Sequence, residues 1–146
     1  MISDTHGLVR PEALAALRGV DRIVHAGDVG APDVLAALSA LAPLTAVRGN
    51  NDRGPWATAL PETSVVEVEG VLLYVLHDLK KIDLEPAAAG FAAVIAGHSH
   101  QPRCERVGGV LWFNPGSAGP RRFKLPIAVG RLEVAGDRVS GRIITL

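Results

Sequence analysis

The sequence predicts an α/β protein whose first half forms a parallel β-sheet and whose second half forms antiparallel hairpins. In the first half, short apolar segments alternate with amphipathic helical segments, as they do in βαβ units. In the second half, apolar segments occur in pairs around glycine-containing turns, which is typical of hairpins. Hydrophobic residues make up 48% of the chain and aromatic residues only 4%. This composition suits strands that are covered on both faces.

The parallel half is predicted to contain three strands and two helices. The helices begin at Pro11 and near Pro32, where proline fits a first turn, and the second helix ends before Pro43. Apolar side chains recur along one face of each helix, as expected for a helix that covers a sheet. The first predicted strand ends at Ile2–Ser3, and the other two comprise Arg22–His25 and Leu44–Val47.

The hairpin half is predicted to contain one short strand and three pairs of antiparallel strands. A short strand at Ala92–Ala96 follows a small helical region near Pro86. Together with the parallel half, these segments indicate a pair of mixed sheets with helices outside. The predicted strand pairs are Ser64–Val68 with Val71–His77, Cys104–Val107 with Val110–Phe113, and Pro126–Val134 with Arg138–Thr145.

The composition sets limits on domain number and partners. The 146 residues suit a single domain over residues 1–146. Fifteen basic residues are balanced by fifteen acidic ones, which counts against a nucleic-acid partner bound through its phosphates. The lone Cys104 suits a reducing compartment. No secretory signal and no apolar segment long enough to cross a bilayer is visible. We therefore expect a cytoplasmic protein without a membrane partner.

Side chains of the kinds that bind metals follow the predicted strands. The carboxyl ends of strands in an α/β sheet meet at one edge, so these side chains are expected to converge there. Neighbouring glycines would let the backbone approach a ligand closely. The segments are Asp4-Thr5-His6, Gly27-Asp28, Gly49–Asp52, His77-Asp78 and Gly97–His100.

The chemistry of these residues favours a pair of transition-metal ions. Asp4 and His6 are two residues apart, as are His98 and His100, and on an extended segment such pairs point to one side. Asp28 is reachable from both pairs and is a candidate bridging carboxylate. Mixed imidazole, carboxylate and amide ligands suit manganese, iron, zinc, nickel or cobalt better than calcium or magnesium, and manganese is our first expectation. Two ions roughly 3.5–4 Å apart would share a hydroxide that attacks phosphorus.

The motifs DTH, GD, GN, H and GHSH occur in this order and resemble those of the calcineurin-like metallophosphoesterase superfamily. Four longer segments are similar to its small bacterial and archaeal phosphodiesterase branch. They are ISDTHG at Ile2–Gly7, HAGD at His25–Asp28, RGNND at Arg48–Asp52 and NPGS at Asn114–Ser117. The resemblance extends over almost the whole chain, and five ordered motifs are far more specific than a lone GHSH.

This resemblance implies a four-layer α/β/β/α sandwich with two mixed β-sheets and a centre with two divalent metal ions. It implies hydrolysis of a small-molecule phosphoester, in first place a phosphodiester, by a metal-bridging hydroxide. Asp28, Asn50 and His77 would be the catalytic residues. Similar small proteins form dimers or tetramers, so a homo-oligomer is compatible with it. The first ion would be held by Asp4, His6, Asp28 and His100, and the second by Asp28, Asn50, His77 and His98.

Three features depart from the family pattern. Asn51 stands where many members have a histidine that protonates the leaving group, so we expect a preference for good leaving groups. Asp78 stands where glycine is usual, and it would either orient His77 or crowd the metal. Only three residues precede Asp4, where relatives carry several more apolar ones. A start codon assigned too late is the simplest explanation. In the short form, we expect Asp4 and His6 to hang on a frayed end.

Substrate contacts are expected from Asn51, Arg53 and Asn114. Four arginines could clamp a phosphate, namely Arg10, Arg53, Arg121 and Arg122, and Arg53 is the first choice because it lies beside the Asn50 loop. Asn114 opens the NPGS segment. The main alternative function is a non-catalytic metal-binding scaffold of the same fold, as in a membrane-trafficking coat subunit. An oligonucleotide nuclease would share the chemistry, but the chain lacks the expected excess of basic residues.

Overall fold

The structure is a computed structural model that describes residues 1–146. It contains three short α-helices, one 3₁₀ helix and nine strands. In chain order, the elements are α1 (Pro11–Ala16), β1 (Ile23–His25), α2 (Pro32–Ser39), β2 (Leu44–Ala46), α3 (Pro55–Thr58), β3 (Thr63–Val68), β4 (Val71–Leu76), the 3₁₀ helix (Leu79–Lys81), β5 (Phe91–Ile95), β6 (Arg103–Val107), β7 (Val110–Asn114), β8 (Ala128–Ala135) and β9 (Arg138–Thr145).

The first half of the chain forms the predicted parallel arrangement. Strands β1 and β2 pair in parallel, and Ile2 forms a parallel bridge with His25 on the other side of β1. Met1 exchanges two hydrogen bonds with Gly130 of β8, at 2.7 and 2.8 Å, and β8 pairs with β9 in an antiparallel hairpin. The N-terminal segment therefore lies between β1 and β8, in the middle of this first layer of strands.

The expected fraying of the N-terminal segment is not what the structure shows. Ile2 is buried, and the amide of Asp4 donates to the carbonyl of Gly27 at 3.0 Å. On the opposite side, the hydroxyl of Ser117 donates to the carbonyl of Asp4 at 2.9 Å. The short segment is held because its backbone is hydrogen-bonded on both sides, even though few apolar residues precede Asp4.

The second half forms a five-stranded mixed sheet with the order β3-β4-β5-β7-β6. The pairs β3–β4 and β6–β7 are antiparallel hairpins. Strand β5 runs parallel to both β4 and β7. Strands β4, β5 and β7 therefore end at the same edge of the sheet, which is the requirement for a site built from the residues that follow them.

Apolar side chains fill the spaces between successive layers. One cluster lies between the two layers of strands and includes Val24, Val75, Ile95 and Phe113. A second cluster, which includes Leu38, packs α1 and α2 against the outer face of the first layer. This arrangement positions the two layers of strands face to face, so residues that follow strands of either layer can meet.

The outer face of the five-stranded sheet is not covered by the helix that the sequence predicted near Pro86. Leu79, Ile82 and Leu84 pack there against Tyr74 and its neighbours. The covering element is the 3₁₀ helix and the chain after it, and residues 86–90 form hydrogen-bonded turns in place of the helical region predicted near Pro86. The fourth layer of the predicted sandwich is thus much reduced. No helix is long and apolar enough to cross a membrane.

Candidate metal centre

The predicted ligand side chains meet at one edge of the two facing layers of strands. Asp4 and His6 follow the N-terminal segment, and Asp28 and Asn50 follow β1 and β2. From the other layer, His77 follows β4 directly, while His98 and His100 come shortly after β5. The convergence arises because all of these strands run in the direction that brings their carboxyl ends to this edge.

The first group of side chains consists of Asp4, His6 and His100. Their ligand atoms lie within 4.8 Å of one another. Nε2 of His100 is 3.3 Å from Oδ1 of Asp4 and 3.3 Å from Nε2 of His6. Two imidazole nitrogens and a carboxylate oxygen thus face a common point, as nitrogen and oxygen ligands do around a divalent cation.

The second group lies next to it and is centred on His77. Nε2 of His77 is 3.0 Å from Oδ1 of Asn50, and Nδ1 of His98 is also 3.0 Å from that oxygen. The other ring nitrogen of His77, Nδ1, lies 2.7 Å from the carbonyl of Ala26. The carbonyl can only accept, so Nδ1 carries the proton and Nε2 is left with its lone pair toward the group.

Asp28 lies between the two groups. Its Oδ2 is 3.9 Å from Nε2 of His6, and its Oδ1 is 3.5 Å from Nε2 of His77. Asn51 holds the carboxylate in place, because its backbone amide donates to Oδ1 at 2.8 Å and its side-chain amide donates to Oδ2 at 2.7 Å. Each oxygen therefore faces a different group while being fixed by a donor from Asn51.

Electrostatics favour the ionised form of this carboxylate. Burial raises the pKa of Asp28, but His77 and the two donors of Asn51 outweigh burial and hold the pKa well below its usual value. For His77, burial lowers the pKa, while Asp28 and the carbonyl of Ala26 raise it by more, so the net pKa lies above the usual value. An ionised carboxylate therefore lies between the two groups of imidazoles.

Asp4 provides the test of whether these residues fit a metal. Its side chain is fully buried, and Oδ2 accepts from the hydroxyl of Ser3 at 2.5 Å and from the amide of His98 at 3.0 Å. Oδ1 is buried and has no hydrogen-bond donor. A buried carboxylate oxygen without a donor is strongly unfavourable, and it faces the imidazoles of the first group. The donor set therefore fits a divalent cation.

The backbone at the centre differs from the extended conformation expected from the sequence. Asp4, His6, Asp28, His98 and His100 all have positive φ, between 48° and 66°. The expectation that strand alternation brings each pair to one side is therefore wrong, and the side chains converge because the backbone turns at each of these residues. Non-glycine residues in this region are strained by on the order of 1 to 3 kcal/mol each.

Two glycines allow the loops to approach one another closely. A Cβ atom on Gly49 would overlap the backbone nitrogen and Oδ1 of Asp28, and one on Gly97 would overlap the hydroxyl of Ser3. Any larger residue at these positions would displace Asp28 or the loop that carries His98 and His100. The glycines predicted to flank the site are therefore required for the loops to pack together.

His25 has a structural role close to the centre. Its Nδ1 accepts from the amide of Gly27 at 3.2 Å, which assigns the proton to Nε2, 2.9 Å from the hydroxyl of Thr5. Thr5 in turn donates to the carbonyl of Val29 at 2.9 Å. Burial lowers the pKa of His25 to about 4. A neutral imidazole thus connects the backbone before Asp28 to the backbone between Asp4 and His6.

Asp52 was not singled out by sequence reasoning, although it fixes the loop that carries Asn50. Its side chain is buried, and its two oxygens accept from the amides of Gly30 and Gly49, both at 2.8 Å. The signal available in the sequence was its place two residues after Asn50, where a carboxylate can bond to backbone amides of its own loop.

Two of the expected contacts differ from their sequence-based roles. The side-chain nitrogen of Asn114 donates to the carbonyl of Gly97 at 2.8 Å, and its oxygen accepts from Gly116 at 2.9 Å. Asn114 therefore supports the loop after β5 instead of facing a substrate. Asp78 caps the 3₁₀ helix, and its Oδ2 lies 3.9 Å from Nε2 of His98, while no hydrogen bond joins its side chain to His77.

The arginines are also arranged differently from the expectation. Arg53 is exposed and contacts none of the candidate ligands. Arg122, by contrast, has its Nη2 atom 3.5 Å from Nε2 of His6. The loop after the NPGS segment therefore brings the guanidinium of Arg122 to the centre. Sequence reasoning counted Arg122 among four possible phosphate clamps but preferred Arg53 for its place beside the Asn50 loop, because nothing local links Arg122 to His6, 116 residues away.

A polar cavity of about 590 Å³ opens beside the second group. Asn50 and His77 form part of its wall, and the remainder is mostly polar, including Arg48, Lys81 and the aromatic Tyr74. Its size suits a small molecule. A smaller cavity of about 330 Å³ lies at the opposite ends of the strands and contains none of the candidate ligands.

Comparisons with known proteins agree with this fold and centre. Residues 1–137 match the calcineurin-like phosphoesterase superfamily domain. A probable metallophosphoesterase of Methanothermobacter thermautotrophicus is 33% identical over 156 residues, covering 99% of this chain and 90% of that protein. The structure of a novel archaeal phosphodiesterase covers 98% of this chain and 97% of its own, with a TM-score of 0.81 at 21% identity. Vps29 of Entamoeba histolytica, in a complex with zinc, covers 99% of this chain and 96% of its own, with a TM-score of 0.74 at 20% identity.

The fold and its centre define an α/β protein with a candidate metal site at the carboxyl ends of two facing layers of strands. The matches to the family model and to the methanogen protein then settle the family. The chain belongs to the calcineurin-like phosphoesterase superfamily, and both the family and the fold class predicted from its motifs are confirmed.

Proposed function

We propose that this protein is a metal-dependent phosphodiesterase with a dinuclear centre. The observation that carries the proposal is the position of Asp28, whose two oxygens face different groups of metal-binding side chains. A phosphodiesterase of similar fold supports the choice of reaction. The first ion would be held by Asp4, His6, Asp28 and His100, and the second by Asp28, Asn50, His77 and His98.

The contacts of Asp28, Asn50 and His77 suggest a separate role for each of these residues. When bound, two divalent ions lower the pKa of water and neutralise charge on the phosphoryl oxygens. Asp28, fixed by Asn51, would keep the two ions at a constant separation. Asn50 would contribute a neutral ligand at the second ion, where its carbonyl oxygen already lies near two imidazoles. His77, held by the carbonyl of Ala26, would present a lone pair that cannot rotate away.

The chain has no evident general acid to protonate the leaving group at the position of Asn51. Asn51 occupies the position of the histidine found in many relatives, and its side chain is bonded to Asp28. An amide cannot act as a general acid. We therefore propose that the enzyme acts best on esters with acidic leaving groups, for which protonation contributes little to the rate.

Manganese remains the first choice of metal, with iron, zinc, nickel and cobalt as alternatives. The mixed nitrogen and oxygen ligands suit all of them, and a protein of similar fold binds zinc. The substrate we propose is a small molecule, because the adjoining cavity has the volume of a small-ligand site and opens next to Asn50 and His77.

The second candidate function is a non-catalytic metal-binding scaffold. It is favoured by one observation, the similarity of the fold to Vps29, a vacuolar protein sorting component. The two candidates differ in whether the metal-loaded protein hydrolyses a phosphodiester, so a single assay separates them.

The test uses purified protein with added manganese and bis-p-nitrophenyl phosphate as substrate. We expect hydrolysis by the wild type and at least a hundredfold lower rate in Asp28→Ala, since removal of one catalytic group typically has an effect of this order. Glu67→Ala, which removes an exposed carboxylate on β3, is the control. A wild-type rate no higher than that of Asp28→Ala overturns the proposal, and bound metal in such an inactive protein favours the scaffold.

A further inference from the structure

Arg122 is the cationic side chain that reaches the first group of candidate ligands. Its Nη2 atom lies 3.5 Å from Nε2 of His6. No carboxylate lies within 4.0 Å of its guanidinium. Its side chain is exposed, so solvent alone compensates its charge and its guanidinium is open to an anion that enters the centre.

The nitrogen that Arg122 approaches is the one that would bind a metal. Nε2 of His6 also faces Nε2 of His100 at 3.3 Å and Oδ2 of Asp28 at 3.9 Å. An imidazole nitrogen has a single lone pair, so it can accept from Arg122 or bind a cation, but not both. When a metal takes this nitrogen, Arg122 loses its acceptor and faces a divalent ion of the same sign of charge.

An anion between the guanidinium and the ion resolves this conflict. Like charges at such short range repel strongly in a partly buried site, and a shared anionic oxygen converts the repulsion into attraction. A phosphoryl group supplies such oxygens, and the planar fork of arginine matches two of them at once. The proposed reaction supplies such a ligand, a phosphoryl group, which would bind on the side of the centre where His6 lies.

We propose that Arg122 is a substrate-binding residue that donates hydrogen bonds to non-bridging phosphoryl oxygens once metal occupies the site. This inference rests on the proposed function, because it requires metal at His6. It assigns the phosphate contact to Arg122 and not to Arg53. Both side chains are exposed, but Arg122 has a donor 3.5 Å from a candidate ligand, His6, whereas no hydrogen bond joins Arg53 to one. Arg10 has a supporting role, since its guanidinium donates to the carbonyls of Ala118 and Gly119, at 3.2 and 3.0 Å, at the base of the loop that carries Arg122.

The experiment measures binding of inorganic phosphate to the manganese-loaded protein by isothermal titration calorimetry. The variants are Arg122→Ala, Arg122→Lys and, as a control, Arg138→Ala, which removes an exposed arginine at the start of β9. We expect Arg122→Ala to weaken phosphate binding at least tenfold, as loss of a hydrogen bond to a charged group does. Arg122→Lys should recover part of the loss, because lysine keeps the charge without the fork.

Manganese affinity is measured in the same preparations as an independent readout. We expect it to be equal or higher in Arg122→Ala, because the variant removes both the competing donor and the repulsion at His6. The inference is overturned if Arg122→Ala binds phosphate as tightly as Arg138→Ala does. A wild type that binds no manganese overturns the proposed function, and this inference with it. A wild type that hydrolyses bis-p-nitrophenyl phosphate with an unaltered KM in Arg122→Ala contradicts this inference alone.

Discussion

Acidification should destabilise the protein through His25. The imidazole is fully buried and neutral, with a pKa of about 4 in place of the usual 6.5. In the unfolded chain, His25 binds a proton as the pH falls below 6.5, whereas in the folded protein it does not. The unfolded state therefore binds more protons between these two values, and the stability from the neutral imidazole, complete above pH 6.5, is lost as the pH falls toward 4.

The size of the effect follows from the interval between the two pKa values. At about 1.4 kcal/mol per pH unit, it amounts to about 3 kcal/mol between pH 7 and pH 4. The loss is large relative to a total stability on the order of 10 kcal/mol for a domain of this size. A protonated His25 cannot accept from the amide of Gly27 at Nδ1, so the loop before Asp28 should loosen first.

Urea denaturation followed by circular dichroism, in EDTA and at pH 7, 6, 5 and 4, would measure this loss. His25→Gln is the matched variant, because its amide can still donate and accept but does not titrate. The other titrating groups, among them His6, His77 and Asp28, are present in both proteins. The free energy of unfolding of the wild type, minus that of His25→Gln, should fall by about 3 kcal/mol from pH 7 to pH 4. A difference that stays constant across this range would refute the reasoning.

Two substitutions next to Asp28 test how its carboxylate is held. Gly49→Ala should lower manganese affinity more than tenfold, because the new Cβ would overlap Asp28. Gly90→Ala is its control for backbone strain, since its φ of 84° disfavours alanine while a Cβ there meets no atom within 4 Å. Equal affinities in these two variants would contradict the packing argument. Asn51→Ala removes the donor to Oδ2 of Asp28 and should weaken manganese binding about tenfold. Calorimetric titration measures both effects, and an unaltered affinity in Asn51→Ala would mean that the backbone amide alone holds the carboxylate.

Hydrophobic patterning and turn residues made most of the fold predictable. The parallel half followed from the alternation of strand and helix patterns, and the hairpins followed from glycine turns such as Gly108-Gly109, which lies between β6 and β7. The small helix α3 was not predicted, because four residues are too few to show a helical period. The helical region expected near Pro86 is a series of turns, since its local pattern does not distinguish one helical turn from a helix.

The ligand-type side chains of the centre were predictable as a set, but their geometry was not. Their positions after strands indicated a common edge, which the structure shows. Strand alternation gave the wrong reason for the pairing of Asp4 with His6, because a residue with positive φ is not recognisable from its type when it is aspartate or histidine. The choice between Arg53 and Arg122 depended on how a distant loop folds back, which local sequence does not encode.

Five candidate ligands have left-handed backbone conformations. Each of these conformations lowers the stability of the folded chain. A bound cation would stabilise the same five turns and so offset this cost. Metal binding and folding would therefore favour one another. Replacement of one of these residues by glycine would relieve strain while removing a ligand. The same substitution would therefore increase the stability of the protein and abolish its metal binding. The strain at these residues thus predicts that loss of one ligand leaves the fold of this chain intact.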